Sequence, residues 1–291
     1  MKVLAFGEIL WDIIEGKSYL GGAPFNFAAH VVKCGGKASI LSAVGNDDLG
    51  HAAVQQAGSL GVDTSLINIS HNRPTGTVDV FLDNGQPDYT IHEQVAFDEI
   101  IIPEIRKIQD QNFDVFYFGA LAQRNVVSAQ SLRQILEQIS FKEIFFDINI
   151  RKQFYTKEII DHALQYATIF KINDQEVELV SELFFGEKLG MESFAKKISA
   201  NYPVKILVIT AGEKGCFIYA GTSLVAVPGV PVKVVDAVGA GDAFSAAFLT
   251  GFLNSGDVQS AAVTANQVGA FVASSSGAIP EYSAEIVARF K

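Results

Sequence analysis

The chain alternates short β-rich runs with helical stretches from end to end, and that rhythm constrains its fold more than any other feature. Val3–Phe6, Ala38–Val44, Phe113–Phe118, Ile144–Ile148, Thr168–Ile172 and Lys205–Thr210 are apolar runs of strand length. Phe25–Val32, Ala129–Ile139 and Lys157–Gln165 carry helical patterning between them, and Gly35-Gly36 closes the first of these helices. Apolar strands separated by helices imply βαβ units and a mostly parallel sheet covered on both faces. With no internal repeat or linker, residues 1–291 read as a single α/β domain.

Two pieces break the rhythm. Thr77–Phe81 and Tyr89–His92 alternate apolar and polar residues across Asp83-Asn84-Gly85, a hairpin signal. Trp11–Tyr19 is also extended and ends at a glycine pair. Residues 11–20 and 75–95 are therefore expected to form a small β-lid on the α/β body. The competing reading is a surface hairpin without function.

Composition removes whole classes of function. The formal net charge is -10, whereas a nucleic-acid binder clusters Lys and Arg against phosphates. Cys34 and Cys216 lie far apart in no CxxC pair, so free thiols in a reducing compartment are expected. Glu8 and Asp12 interrupt the first apolar run too early for a signal peptide, which points to a cytoplasmic protein. No charge occurs between Asp257 and Glu281, but Gln259, Ser260, Thr264, Asn266 and Gln267 make that stretch too polar for hydrocarbon. Buried helices and a loop are expected there, with no membrane contact. The five histidines form no metal-spaced pair.

The most informative stretch runs from Val235 to Phe244 and contains Gly239-Ala240-Gly241-Asp242. A strand is expected to end there and a helix to follow over Ala243–Leu253. Small residues at a helix start let main-chain N–H groups approach an anion, and the helix dipole favours negative charge there. Asp242 would repel such an anion, yet it suits a base that takes a proton from an attacking hydroxyl beside a phosphate. A plain N-cap aspartate is the alternative. Neither GxxxxGK[ST] nor a full GxGxxG occurs, because position 244 is Phe.

Further clusters follow other strands. Asn173 and Glu176 could hold a Mg²⁺–phosphate assembly through water, or simply form a capping box. Thr210, Gly212 and Gly215 form a glycine turn that cradles phosphates or merely joins two strands. Gly21-Gly22-Ala23-Pro24-Phe25-Asn26 leads into a helix, with Asp12 ahead of it, and Asp147-Ile148-Asn149-Ile150-Arg151 closes another strand. In open α/β sheets the ligand crevice lies at the carboxyl ends of strands, where these clusters are expected.

Together, Gly21–Ala28, the downstream glycines Gly36 and Gly45, and Asp236–Asp242 resemble the signatures of the ribokinase-like PfkB carbohydrate kinases, over essentially the whole chain. Phe6-Gly7-Glu8-Ile9-Leu10-Trp11-Asp12, the Ala-Pro-Phe-Asn loop and Asp-x-Asn-x-Arg look most like fructokinases within that family. The resemblance implies a three-layer ribokinase-like sandwich with a β-lid, and transfer of phosphate from ATP to a sugar hydroxymethyl. It implies Asp242 as base, with Gly239 shaping the turn and the amides of Ala240, Gly241 and Asp242 as an anion hole. Asp12, Gly22, Asn26 and Arg151 would bind sugar. Thr210, Gly212 and Gly215 would hold ATP phosphates, Asn266 would border adenine, and Asn173 and Glu176 would organise Mg²⁺. Asp236, Val238, Ala273 and Gly277 match a monovalent-cation (K⁺) site, although Ala237 replaces the family's usual Thr. A homodimer is implied as well. The competing readings are a kinase for ribose or 2-keto-3-deoxygluconate, a non-catalytic sensor on the same fold, and a dehydrogenase, the last disfavoured by the missing fingerprint.

Overall fold

A computed structural model of the chain describes residues 1–83, 86–222 and 224–290. Its strands, in chain order, are β1 (Lys2–Phe6), β2 (Leu10–Ile14), β3 (Lys17–Gly21), β4 (Lys37–Gly45), β5 (Ile67–Ser70), β6 (Gly76–Asp83) and β7 (Gln86–Ile91). There follow β8 (Val115–Phe118), β9 (Glu143–Asp147), β10 (Ile169–Asn173), β11 (Ile206–Thr210), β12 (Cys216–Ala220) and β13 (Leu224–Val227). Nine of them form one sheet in the order β13-β12-β11-β10-β9-β8-β1-β4-β5. It is parallel from β11 to β5, and β12 and β13 add antiparallel strands at one edge.

Period-two alternation along these strands feeds two cores, one on each face. Val3, Ala5, Val115, Tyr117, Phe145 and Ile169 pack with helices Ala23–Lys33, Ala240–Ser255 and Val258–Ala273. Leu4, Phe6, Phe116, Phe118, Phe146 and Phe170 pack on the other face with helices Val126–Gln138, Lys157–Leu164, Asp174–Phe185 and Met191–Asn201. The result is the expected three-layer sandwich. Chain order reverses between β1 and β8, so the topological switch point, where open α/β sheets bind ligands, lies where Gly7 and Gly119 leave their strands.

A second sheet has the order β3-β2-β6-β7. β6 and β7 pair antiparallel as the alternation predicts, while Asn84 and Gly85 of the expected turn lie outside the described residues. The extended run expected over Trp11–Tyr19 is instead a hairpin, β2 against β3. Glu15 (φ 49°) and Gly16 (φ 77°) turn the chain in the left-handed region, a two-residue signal hidden inside a run of mixed polarity.

The expected strand before Asp236 is also absent: residues 228–238 are irregular and, apart from the half-buried Gly229 and Asp236, exposed. Both cysteines are buried and unbonded. Residues 258–273 form a helix that buries one face and exposes Gln259, Ser260 and Val263, and among the described residues no helix is long and apolar enough to cross a membrane.

Candidate active site

Three neighbouring strands turn polar at their carboxyl ends on one face of the sheet. In β9 and β10, Phe145 pairs with Ile169 and Asp147 with Lys171, and Tyr117 of β8 pairs with Phe145. Period two then points Tyr117, Asp147 and Lys171 toward helix Ala240–Ser255. Lys171 Nζ lies 3.0 Å from each Asp147 oxygen. The Tyr117 hydroxyl donates to Asp147 Oδ2 at 3.2 Å. Ser245 Oγ stands 3.1 Å from the same oxygen and 2.9 Å from the Gly241 carbonyl. Lys171 is only 8% exposed and Asp147 1%, so this is a buried ion pair with its oxygens satisfied. Burial alone would depress the lysine, but the Asp147 carboxylate holds its pKa above the usual value.

The helix above this pair begins at Gly239, whose φ of 78° is left-handed. A Cβ there would stand 2.4 Å from the Ala278 carbonyl oxygen, so the turn needs glycine. Asp242 is the third residue of the helix and not its cap, which removes the N-cap reading. Asn26 Nδ2 donates to Asp242 Oδ2 at 2.9 Å. Burial pushes the Asp242 carboxyl up to about 6; the Asn26 hydrogen bond opposes this, Asp147 adds to it, and Lys171 and Arg151 oppose it. The N–H groups of Gly241 and Asp242 lie in the first turn, beyond reach of any helical carbonyl. The Ala240 amide donates to the Ala237 carbonyl at 3.3 Å.

Glu8, Asp12 and Asp242 each feel the charge of Arg151. Asp12 lies in β2 rather than in a loop, and a Cβ on Gly21 would come within 2.6 Å of its Oδ2. Gly22, at φ 109°, would drive a Cβ to 2.4 Å from the Glu8 carbonyl oxygen. Burial lifts Asp12 to about 6, with Arg151 opposing and Asp236 adding. Burial lifts Glu8 to about 7, its own main-chain hydrogen bond and Arg151 oppose this, and Asp242 adds to it. Glu8 is 4% exposed and its Oε2 has no hydrogen-bond partner. Arg151 Nη1 donates to the Ile150 carbonyl at 3.2 Å.

Farther along the sheet edge, Asn173 and Glu176 do form a capping box. Asn173 Oδ1 accepts from the Glu176 amide at 2.8 Å, and Glu176 Oε2 accepts from the Asn173 amide at 2.9 Å. Glu176 Oε1 also accepts from the Ile150 amide at 2.7 Å, which ties the Arg151 loop to the start of helix Asp174–Phe185. Thr210 ends β11, and Gly212–Lys214 is a single 3₁₀ turn into the antiparallel β12. Gly215 (φ 92°) lets that turn pass the Val227 carbonyl, where a Cβ would sit at 2.2 Å. Asn266 is buried, and its Nδ2 donates to the Val227 and Pro228 carbonyls at 3.1 and 2.9 Å, so that group holds main chain. Asp236 accepts from the Val238 amide at 3.0 Å and the Gly277 amide at 3.3 Å. The Val235 and Asp236 amides donate to the Ala273 carbonyl, so the four residues matched to a cation site are neighbours.

Sequence reasoning missed Lys171, Tyr117, Ser245 and Glu8. Lys171 did leave a trace, as the one charged residue within an otherwise apolar central run, Ile169-Phe170-Lys171-Ile172.

Comparison with known proteins gives a consistent picture. Residues 4–285 match the family described as pfkB family carbohydrate kinase. Fructokinase-2 of Solanum lycopersicum is 28% identical over 271 residues, 85% of this chain and 80% of its own length. A sugar kinase of Pyrococcus horikoshii, solved in complex with ATP, is similar with a TM-score of 0.81 and 26% identity, covering 96% of this chain and 94% of its own. A fructokinase of Xylella fastidiosa with bound ATP reaches a TM-score of 0.87 at 20% identity, covering 99% and 97%, a likeness of fold.

Proposed function

Because the chain belongs to the pfkB family of carbohydrate kinases, we propose that it transfers the γ-phosphate of ATP to the hydroxymethyl group of a neutral ketose, D-fructose, giving fructose 6-phosphate. The observation that carries this reading is the hydrogen bond by which Asn26 holds the Asp242 carboxylate in the first turn of the helix that Gly239 opens, with Glu8, Asp12 and Asp242 all subject to the charge of Arg151. A sugar acid would bring another negative charge into a site whose carboxyl groups are already raised by burial. A polyol instead offers hydroxyls that donate to carboxylates and accept from Arg151 and Asn26. The fructokinase-like loop forms and the tomato relative favour fructose among neutral sugars.

In this reading the substrate hydroxyl faces Asp242. Asn26 occupies Oδ2, which leaves Oδ1 to take the proton as the new O–P bond forms. The amides of Gly241 and Asp242 meet the transferring phosphoryl group at the positive end of the helix, while the Ala240 amide, expected to join them, is held by the Ala237 carbonyl. Asp12, Gly22 and Arg151 orient the sugar, while Thr210, Gly212 and Gly215 line the nucleotide phosphates. Asn266 shapes the wall beside the base by holding Val227 and Pro228.

Among the described residues no group of three His, Cys, Asp or Glu could hold a metal ion, so Mg²⁺ would arrive with the nucleotide phosphates. Both Glu176 oxygens already accept main-chain N–H groups, which fits outer-sphere contact through water by Asn173 and Glu176. Bound there, Mg²⁺ would neutralise phosphate charge. A K⁺ ion beside Asp236, Val238, Ala273 and Gly277 would stiffen the same turn without the hydroxyl that Ala237 lacks. The small sheet would act as a lid over the sugar, and the partly exposed Ile14 and Tyr19 would pair two copies of the chain through it.

A coupled ADP-release assay over ketoses, aldoses, sugar acids and nucleosides tests the substrate. Fructose should give the highest kcat/KM; an equal or higher value for ribose or 2-keto-3-deoxygluconate would overturn the assignment. Light scattering checks the dimer.

A further inference from the structure

We infer that Lys171 is a positioning residue for phosphoryl transfer: clamped by Asp147, its buried ammonium supports the Gly239–Asp242 turn from beneath and sets a fixed positive charge behind it. The inference rests on the reading of that turn and Asp242 as the transfer machinery.

A close approach and a hydrogen-bonded bridge relate the ion pair to the turn. A Cβ built on Gly241 would lie 3.4 Å from Lys171 Nζ, so no side chain intervenes between the ammonium and the turn. Ser245, one helical turn beyond Gly241, reaches both the Gly241 carbonyl and Asp147 Oδ2. The pair itself is fixed by register, Asp147 opposite Lys171 on adjacent parallel strands, and braced by the Tyr117 hydroxyl.

A buried ion pair is a poor way to stabilise a core, since apolar side chains of similar volume do as well or better. Here the pair occupies central strands whose other inward residues are apolar, and it appears only at the carboxyl ends facing the turn. The loose transition state of phosphoryl transfer spreads negative charge over the equatorial oxygens. A cation already in place behind the anion hole needs no reorganisation as that charge develops, and little water screens it. At Asp242 the pair acts with both signs, Asp147 raising its pKa and Lys171 opposing that lift.

Removing Lys171 alone would strand a buried carboxylate and confuse folding with function. The double variant Asp147→Asn/Lys171→Met removes both charges at similar volume. Its melting temperature should stay near that of the wild type, and the KM values for ATP and sugar should stay within about threefold. Its kcat should fall by about tenfold or more, the range expected when a preorganised charge is lost. Wild-type kcat in a stably folded double variant would reduce the pair to structure and overturn the inference. Asp242→Asn is the parallel control. If it is inactive while the double variant is not, only the role of Lys171 fails. If Asp242→Asn itself keeps wild-type kcat, the transfer reading falls, and this inference with it.

Discussion

Asn26 and Asp242, 216 residues apart in sequence, meet through one 2.9 Å hydrogen bond from the amide to the carboxylate. The bond joins the first turn of helix Ala23–Lys33, which follows the glycine pair, to the first turn of helix Ala240–Ser255. One turn beyond Asn26, His30 lies within 2.9 Å of the Ala278 carbonyl through Nε2 and 2.8 Å of the Tyr282 hydroxyl through Nδ1. A carbonyl only accepts, so Nε2 carries the proton and Nδ1 accepts from Tyr282. Burial, which lowers the His30 pKa to about 4, keeps the ring neutral and this pattern fixed. The same helix face therefore holds Asp242 directly and, through Ala278, the carbonyl against which Gly239 turns.

Asn26→Ala should move the pH profile as well as weaken sugar binding. The Asn26 bond opposes the burial that lifts Asp242 to about 6. Losing it raises that pKa further, so the acid limb of kcat should shift to higher pH, on the order of one unit. The loss of rate should be larger in mildly acidic than in alkaline buffer. A uniform loss across pH would mean that Asn26 acts on sugar alone.

Gly239→Ala should damage transfer more than binding. The left-handed conformation costs a non-glycine residue about 1 kcal/mol or more, and the added Cβ would strike the Ala278 carbonyl. The turn must shift, carrying the Gly241 and Asp242 amides with it. A misplacement of about 1 Å is enough for roughly a 10²-fold loss in kcat. The check is steady-state kinetics beside calorimetric binding of sugar; unchanged kcat would show that the turn does not meet the phosphoryl group.

The sequence made the strand–helix alternation and the glycine motifs legible because both are local patterns. It also named Asp242, Asn26, Asp12 and Arg151 as candidate site residues, of which the structure joins Asn26 and Asp242 by a hydrogen bond. The Asp147–Lys171 pair was not legible in the same way, because it exists only through the register of β9 against β10. The hairpin at Glu15-Gly16 was missed because the strands it joins alternate weakly, with β3 exposed over Lys17–Tyr19. The strand expected before Asp236 failed for the opposite reason. Val230, Val232, Val234 and Val235 look like a buried run, yet they are 37%, 40%, 62% and 62% exposed. Neighbouring Asn266 holds Val227 and Pro228, at the point where this segment leaves the sheet.

Glu8→Gln should stabilise the protein at alkaline pH. Burial raises the Glu8 pKa from 4.5 to about 7 in the folded chain. A raised carboxyl pKa means that the native state binds more protons than the unfolded one between those values. The stability it confers is thus complete below about pH 4.5 and lost as pH rises through about 7. At 1.36 kcal/mol per unit the loss is on the order of 3 kcal/mol. Urea denaturation across pH should show the variant gaining on the wild type with rising pH, and parallel curves would refute it.

Asp242→Asn exposes the mechanism most directly. Asparagine keeps the size of the side chain and an acceptor for the Asn26 amide, but cannot take a proton at neutral pH. General-base catalysis is worth about 10²–10⁴-fold, and positioning with electrostatic stabilisation supplies the rest. The variant should therefore keep its fold and its sugar affinity while kcat falls by roughly 10²-fold or more. Its ATP affinity should hold or rise slightly, because a negative charge beside the γ-phosphate has gone. The acid limb near pH 6 should vanish with the carboxyl that sets it. Single-turnover kinetics with calorimetric binding separates the outcomes. Wild-type kcat would leave Asp242 as a half-buried partner of Asn26 and nothing more. Lost ATP binding with kcat preserved would make it a support for the amide turn rather than a base.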